Sequence, residues 1–157
     1  MTINELETRY IAAFGPSGGF FARLAPKAIH LVENATTGVD GYIKLREAYP
    51  TDEADSGCVM NCIIEIIHAL HELDIVAETA AMSDRGDGAL MPKVIASMSS
   101  GNESISFSTS QNSGYMRAAT NAAERQQLIN GIIRDNLSGV RDKNGVNLLY
   151  RGAYPYV

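Results

Sequence analysis

The chain has 157 residues, 45% of them hydrophobic and 20% charged, with no tryptophan, which suits one ordinary domain with a sizeable core. Its formal net charge of −5 argues against a nucleic-acid binder held by phosphate contacts, which needs a clustered excess of Lys and Arg. No window approaches the roughly 18 to 20 apolar residues of a membrane span, and the N-terminal MTINELETRY lacks the apolar core of a signal peptide, so a cytosolic origin is expected.

Thr2 and Glu5 have the spacing of a capping box, and a first helix follows with Ile3, Leu6, Tyr10 and Ala13 on one face. Gly15-Pro16 ends it, and the PSGG stretch at 16–19 is a turn; no GKS or GKT follows, so it is not a phosphate loop. A second helix is predicted from about Phe20 to Thr36, with Phe21, Leu24, Ala28, Leu31 and Ala35 in phase. Pro26 either kinks it or marks its true first turn. Gly38 and Gly41 break the chain, and Tyr42 to Tyr49 reads as a short helical piece before Pro50.

Thr51 is the expected cap of a third helix, with Asp52, Glu53 and Asp55 suiting its N-terminus. From Cys58 to Val76 it is apolar on most faces: Val59, Met60, Ile63, Ile64, Ile66, Ile67, Leu70, Leu73 and Ile75. Such a helix is buried by neighbours, and its apolar surface hints at oligomerisation. Residues 83–92 read as a loop. Two short runs at 94–99 and 104–109, around Ser100-Gly101-Asn102-Glu103, carry a hairpin signature. The serine-rich stretch Ser108 to Gly114 reads as mobile. A last helix is predicted over Thr120 to Ser138, with Leu128, Ile129, Ile132, Ile133 and Leu137 apolar and Gly139 closing it. Asn144-Gly145 makes a turn before the apolar, aromatic ending NLLYRGAYPYV.

Glu65, His68, His71 and Glu72 form the strongest catalytic pattern, because positions three and four apart share a helix face and can ligate one metal. Di-metal bundles need a second Glu-x-x-His on a facing helix, and the remaining histidine, His30, precedes Glu33 in reversed order. Cys58 and Cys62, four apart on one helix, read as reduced, buried thiols. No G-x-S-x-G elbow is present, and the DRGDG stretch at 84–88 lacks the ligand pattern of a calcium loop. No cofactor or metal is expected. Leu148, Leu149, Tyr150, Tyr154 and Tyr156 are too apolar for a free tail. They either pack back on their own subunit or dock on a partner by strand addition.

Leu137-Ser138-Gly139 leading into Leu148-Leu149-Tyr150-Arg151-Gly152 resembles the YLSGTGLLYRG ending of head–tail connector proteins of tailed bacteriophages and prophages. Val140 to Asn147 stands where that family has a short Thr-Gly link. The stretch from Ile95 through Gly101 to Ser108 is similar to the family's I-x-S-E-S-x-G-x-x-S-V-S-Y segment, and the order of elements matches over most of the chain.

The resemblance implies a mainly α fold: a bundle of about four helices around a long apolar central helix, with a protruding β-hairpin and an extended C-terminal tail. It implies one connector domain over 1–157, with a helical core at about 1–82 and 118–139, a hairpin and loop at about 83–117, and a docking tail at about 140–157. The subunit would be a structural virion protein without enzymatic activity, made in the host cytoplasm and placed at the head–tail interface. It would form a ring, commonly a dodecamer, under the portal protein, and offer a docking surface to a tail stopper or tail-completion protein. Double-stranded DNA would pass through without sequence-specific binding, which the acidic balance suits.

The expected portal contact is Leu148, Leu149, Tyr150, Arg151, Tyr154 and Tyr156. The expected contact with a neighbouring subunit or stopper is Ile95, Met98, Ile105 and Phe107. The alternatives are a small helical metal-dependent enzyme using Glu65, His68 and His71, and a toxin–antitoxin or regulatory helical module.

Overall fold

The computed structural model describes residues 2–84, 97–100, 103–106 and 114–155. The protein is mainly helical. Its elements are α1 (Ile3–Phe14), α2 (Phe20–Thr36), α3 (Lys44–Glu47), α4 (Glu53–Asp84), β1 (Ser97–Ser100), β2 (Glu103–Ser106), α5 (Gly114–Thr120) and α6 (Ala122–Leu137). They fall into two compact units, Met1–His71 with Ile129–Val157, and Glu72–Leu128, so α4 and α6 each contribute to both.

In the first unit, α1 opens on the expected capping box. The Thr2 hydroxyl accepts from Glu5 N at 3.3 Å and the Glu5 carboxylate accepts from Thr2 N at 2.6 Å. Only Leu6 and Tyr10 of its predicted face are buried; Ile3 is 51% exposed and Ala13 is also at the surface. The Tyr10 ring takes Phe14, Phe20 and Phe21 as neighbours at centroid distances of 5.2, 5.9 and 5.5 Å. Pro26 lies inside α2, on its exposed side, and is not the first turn. Phe21, Leu24, Ala25, Ala28 and Val32 are buried along that helix, while Leu31 and Ala35 are half-buried at the core's edge.

The cap of α4 is Asp52, whose carboxylate accepts from Ala54 N at 2.9 Å and Asp55 N at 3.2 Å; Thr51, the expected cap, does not serve. A carboxylate at this position satisfies two free N–H groups and complements the helix dipole. Val59, Cys62, Ile63, Ile64, Ile66 and Ile67 are buried in one cluster with Leu6 and Tyr10 of α1, Phe21 to Val32 of α2, and Ile129, Ile133 and Leu137 of α6. Met60 and Leu70 of the same apolar run are half-buried against this cluster.

In the second unit, α4 continues to Asp84, past the expected start of a loop, and Ile75 is 44% exposed. Strands β1 and β2 pair antiparallel with Ser97 opposite Ser106, Met98 opposite Ile105 and Ser99 opposite Ser104. Residues 94–96 and 107–109 of the predicted runs lie outside the described residues, as do 85–88 of the DRGDG stretch and most of the serine-rich stretch. The expected last helix is α6, which starts two residues later than predicted; α5, just before it, was not predicted. The Asn121 side chain accepts from Ala123 N at 2.9 Å and caps α6, while Arg125 reaches back to the carbonyls of Ala118 and Ala119 at the end of α5. An ion pair between Arg117 and Glu124 at 3.3 Å spans the same corner.

Candidate docking site at the C-terminal corner

After α6 the chain turns at Gly139, and Val140 to Asn147 closes into a small loop. Arg141 and Asn147 form an antiparallel bridge, and Leu148 N donates to Val140 O at 2.9 Å. The Asp142 carboxylate fills the loop, accepting from Asn144 N and Val146 N, both at 2.9 Å, as short acidic side chains do in turns. The loop is tied to α3 by Lys143, whose N–H donates to Ala48 O at 3.2 Å and whose ammonium donates to Glu47 O at 2.6 Å. Arg46 of α3 in turn forks onto Glu33 of α2 through bonds of 2.7 and 2.8 Å, a bidentate pair that fixes the start of the corner against the bundle.

The ending does not extend freely, contrary to the expected docking tail. Leu148 is fully buried in the core cluster, and Leu149 packs half-buried against it. Tyr154 is 5% exposed; its hydroxyl donates to Asp142 Oδ2 at 2.6 Å and accepts from Asn144 Nδ2 at 2.8 Å, and its ring stacks on Tyr42 at 4.1 Å. Burial and the neighbouring Asp142 carboxylate push the Tyr154 phenol up to about 12. Its N–H donates to Asp40 Oδ2 at 2.9 Å, and with Tyr42 N this holds the Asp40 carboxyl below the usual range. An apolar segment with unpaired aromatic hydroxyls is costly in water and costly in a dry core. Folding back beside Asp142 and Asp40 resolves both.

At the centre sits Lys44, which no part of the sequence reading singled out. It is fully buried, and its ammonium donates to Leu148 O at 3.0 Å and to Tyr150 O, 5.8 Å from the centroid of the Tyr150 ring. Desolvation lowers its pKa, opposed by the nearby charges of Asp142 and Asp40. Gly38 and Gly152 meet beside it. A Cβ on Gly38 would stand 2.9 Å from Gly152 O, and a Cβ on Gly152 would collide with the Tyr150 ring folded over it. A side chain at Gly152 would therefore require the half-exposed Tyr150 ring to swing aside.

What faces outward is a smaller set than the sequence suggested. Tyr150 is 49% exposed and Arg151 is at the surface. Val39, 79% exposed, lies alongside, its N–H donating to Arg151 O at 3.0 Å. Tyr156 lies outside the described residues, as do Ile95 and Phe107 of the second predicted contact; Met98 and Ile105 face one another in the register of β1 and β2.

The pattern suggested for metal binding is dispersed into other contacts. Glu65 accepts from Asn136 Nδ2 at 2.7 Å, His68 shares a 3.3 Å hydrogen bond with the Tyr10 hydroxyl and stacks on Phe14 at 4.3 Å, and His71 stacks on Phe20 at 3.7 Å. Among the described residues no three His, Cys, Asp or Glu side chains are gathered to hold a metal. Cys62 is buried, which pushes its thiol up to about 12 and makes it a poor nucleophile; Cys58 is half-buried, and both are free. Among the described residues no helix is long and apolar enough to cross a membrane.

Compared with protein-family models, with curated proteins and with solved structures, the chain matches none.

Proposed function

We propose that the chain is a head–tail connector subunit of a tailed bacteriophage or prophage, a structural virion protein working as one copy in a ring, commonly a dodecamer, beneath the portal. One observation carries the reading. The run Leu137-Ser138-Gly139 and the run Leu148 to Gly152 are separated in sequence by Val140 to Asn147, but that insertion closes on itself through the Leu148–Val140 bond. The two halves of the connector-like ending are thereby brought together in space, which supports reading Val140 to Asn147 as an insertion into the family pattern. The mainly helical class supports the same reading.

The portal contact falls on the outward side of the corner, at Tyr150 and Arg151 with the edge of Leu149, while Leu148 and Tyr154 anchor that surface to the subunit. Tyr and Arg are the residue types that dominate interface energetics. The paired strands, with Met98 and Ile105, serve the neighbouring subunit or the tail stopper. The ring extends the DNA channel, and its acidic balance lets packaged DNA leave without sequence-specific contacts.

Mass photometry of the chain mixed with a tailed-phage portal protein, taken from the same genome, tests the reading. Wild type gains a portal-bound, ring-sized species. The double variant Tyr150→Asp, Arg151→Glu loses it with unchanged helix content. A wild-type chain whose mass ignores portal sinks the connector reading, and a double variant that still binds sinks the placement of the contact.

A further inference from the structure

We propose that residues 148–154 form a latched strap that opens as one unit while the helical body stays folded, with the buried Lys44 side chain as the latch. The inference concerns the chain by itself and does not depend on any partner.

The strap's fastenings are almost all polar. Its backbone is held by Val140 O on Leu148 N, Val39 N on Arg151 O, and Asp40 Oδ2 on Tyr154 N. Its carbonyls at Leu148 and Tyr150 take the Lys44 ammonium, and its last ring is fixed by Asp142, Asn144 and Tyr42. Leu148 is its one fully buried apolar side chain. Protein hydrogen bonds are exchanged for bonds to water on opening, so their net contribution is small, whereas separating the helices would expose the whole apolar cluster. Lys44 holds the strap shut through its two carbonyl bonds, but by a reduced margin. Its ammonium is desolvated when the strap is shut and regains water when it opens, which offsets part of the loss of two carbonyl bonds. The charged groups around it are Asp142 and Asp40, which hold it, and Arg151, which opposes it. The strap therefore has a lower opening free energy than the body, the property of a cooperative sub-global unit.

Native-state hydrogen exchange on the full chain at neutral pH tests this. The amides of Val39, Leu148 and Tyr154, which close the strap from both sides, are expected to exchange together and at least about tenfold faster than those of Cys62 to Ile67 in α4. Lys44→Met should speed those three amides by roughly a further tenfold or more and leave α4 unchanged. Exchange of the three in step with α4 overturns the proposal, as does a Lys44→Met chain with an unaltered strap. If Lys44→Met does not fold, Tyr154→Phe, which removes only the phenol's bonds to Asp142 and Asn144, must speed the same three amides selectively; no such effect overturns the proposal equally.

Discussion

The helical body and the C-terminal corner bury comparable side chains by opposite means. In the body, α1, α2, α6 and the first half of α4 interleave aliphatic and aromatic side chains, so most of the buried contact is short-ranged, non-directional and shared among many neighbours. In the corner, a lysine, one aspartate and a tyrosine are taken out of water, and each depends on a few particular partners. Apolar packing tolerates rearrangement but loses free energy with every methylene removed. A polar cluster loses little until a partner is missing, and then leaves a buried group unsatisfied. The body is thus a graded stabiliser, and the corner is a set of fastenings that hold or fail individually.

Substitutions at matched depth sharpen that contrast. Ile63→Ala, at a fully buried position on α4, should lower unfolding free energy by about 2–5 kcal/mol in chemical denaturation, through lost transfer energy and the cavity left behind. Asp142→Ala should cost about 1–3 kcal/mol by leaving the Tyr154 hydroxyl and two loop N–H groups without their acceptor. Its damage should be local, seen as faster exchange at Val146 and Tyr154. A loss spread evenly through α4 would erase the distinction between the regions. Thr2→Ala, which breaks the capping box at the outer end of the body, should cost about 1 kcal/mol and fray only the first turn of α1.

Alkaline titration separates the regions by a different route. Cys62 and Tyr154 are acids whose folded pKa values lie above their ordinary values of 9.0 and 10.0. Both favour the folded state fully below those ordinary values and lose that contribution as pH rises toward about 12. Lys44, a base with a lowered folded value, acts with the opposite sign: its folded form gives up its proton before the unfolded chain does, so the cost of burying its charge fades as pH rises toward its ordinary value of 10.5. Measured stability should fall from about pH 9 upward, with Cys62→Ala flattening the earlier part of the decline and Tyr154→Phe the later part. A decline unchanged by both variants would contradict the assignment.

The body was legible because its signals are local. The Thr2–Glu5 spacing, the phase of Phe21, Leu24 and Ala28, and the apolar run from Val59 to Ile67 each report on neighbours within a few turns. The start of α6 was legible within two residues, and Asn121 followed three residues later by Glu124 has the spacing of a capping box there; the short α5 before it carries no comparable signal. Asp52 displaced Thr51 as a cap because its carboxylate reaches two N–H groups. The corner was hidden for a physical reason. A lysine in a short polar segment reads as exposed, and the carbonyls that bury Lys44 lie more than 100 residues away along the chain, at separations of 104 and 106. The same distance concealed the folding back of Leu148 and Tyr154, since apolar ending and docking tail look alike without the residues that receive them.

Hydrogen exchange on the whole chain, with and without a tailed-phage portal protein from the same genome, tests the proposed docking most directly. The account predicts that portal slows exchange in the segment from Leu149 to Ala153 and at Val39, with the amides of α1 and of Cys62 to Ile67 unchanged. Identical exchange in both samples, or slowing confined to α1 and α4, would contradict it.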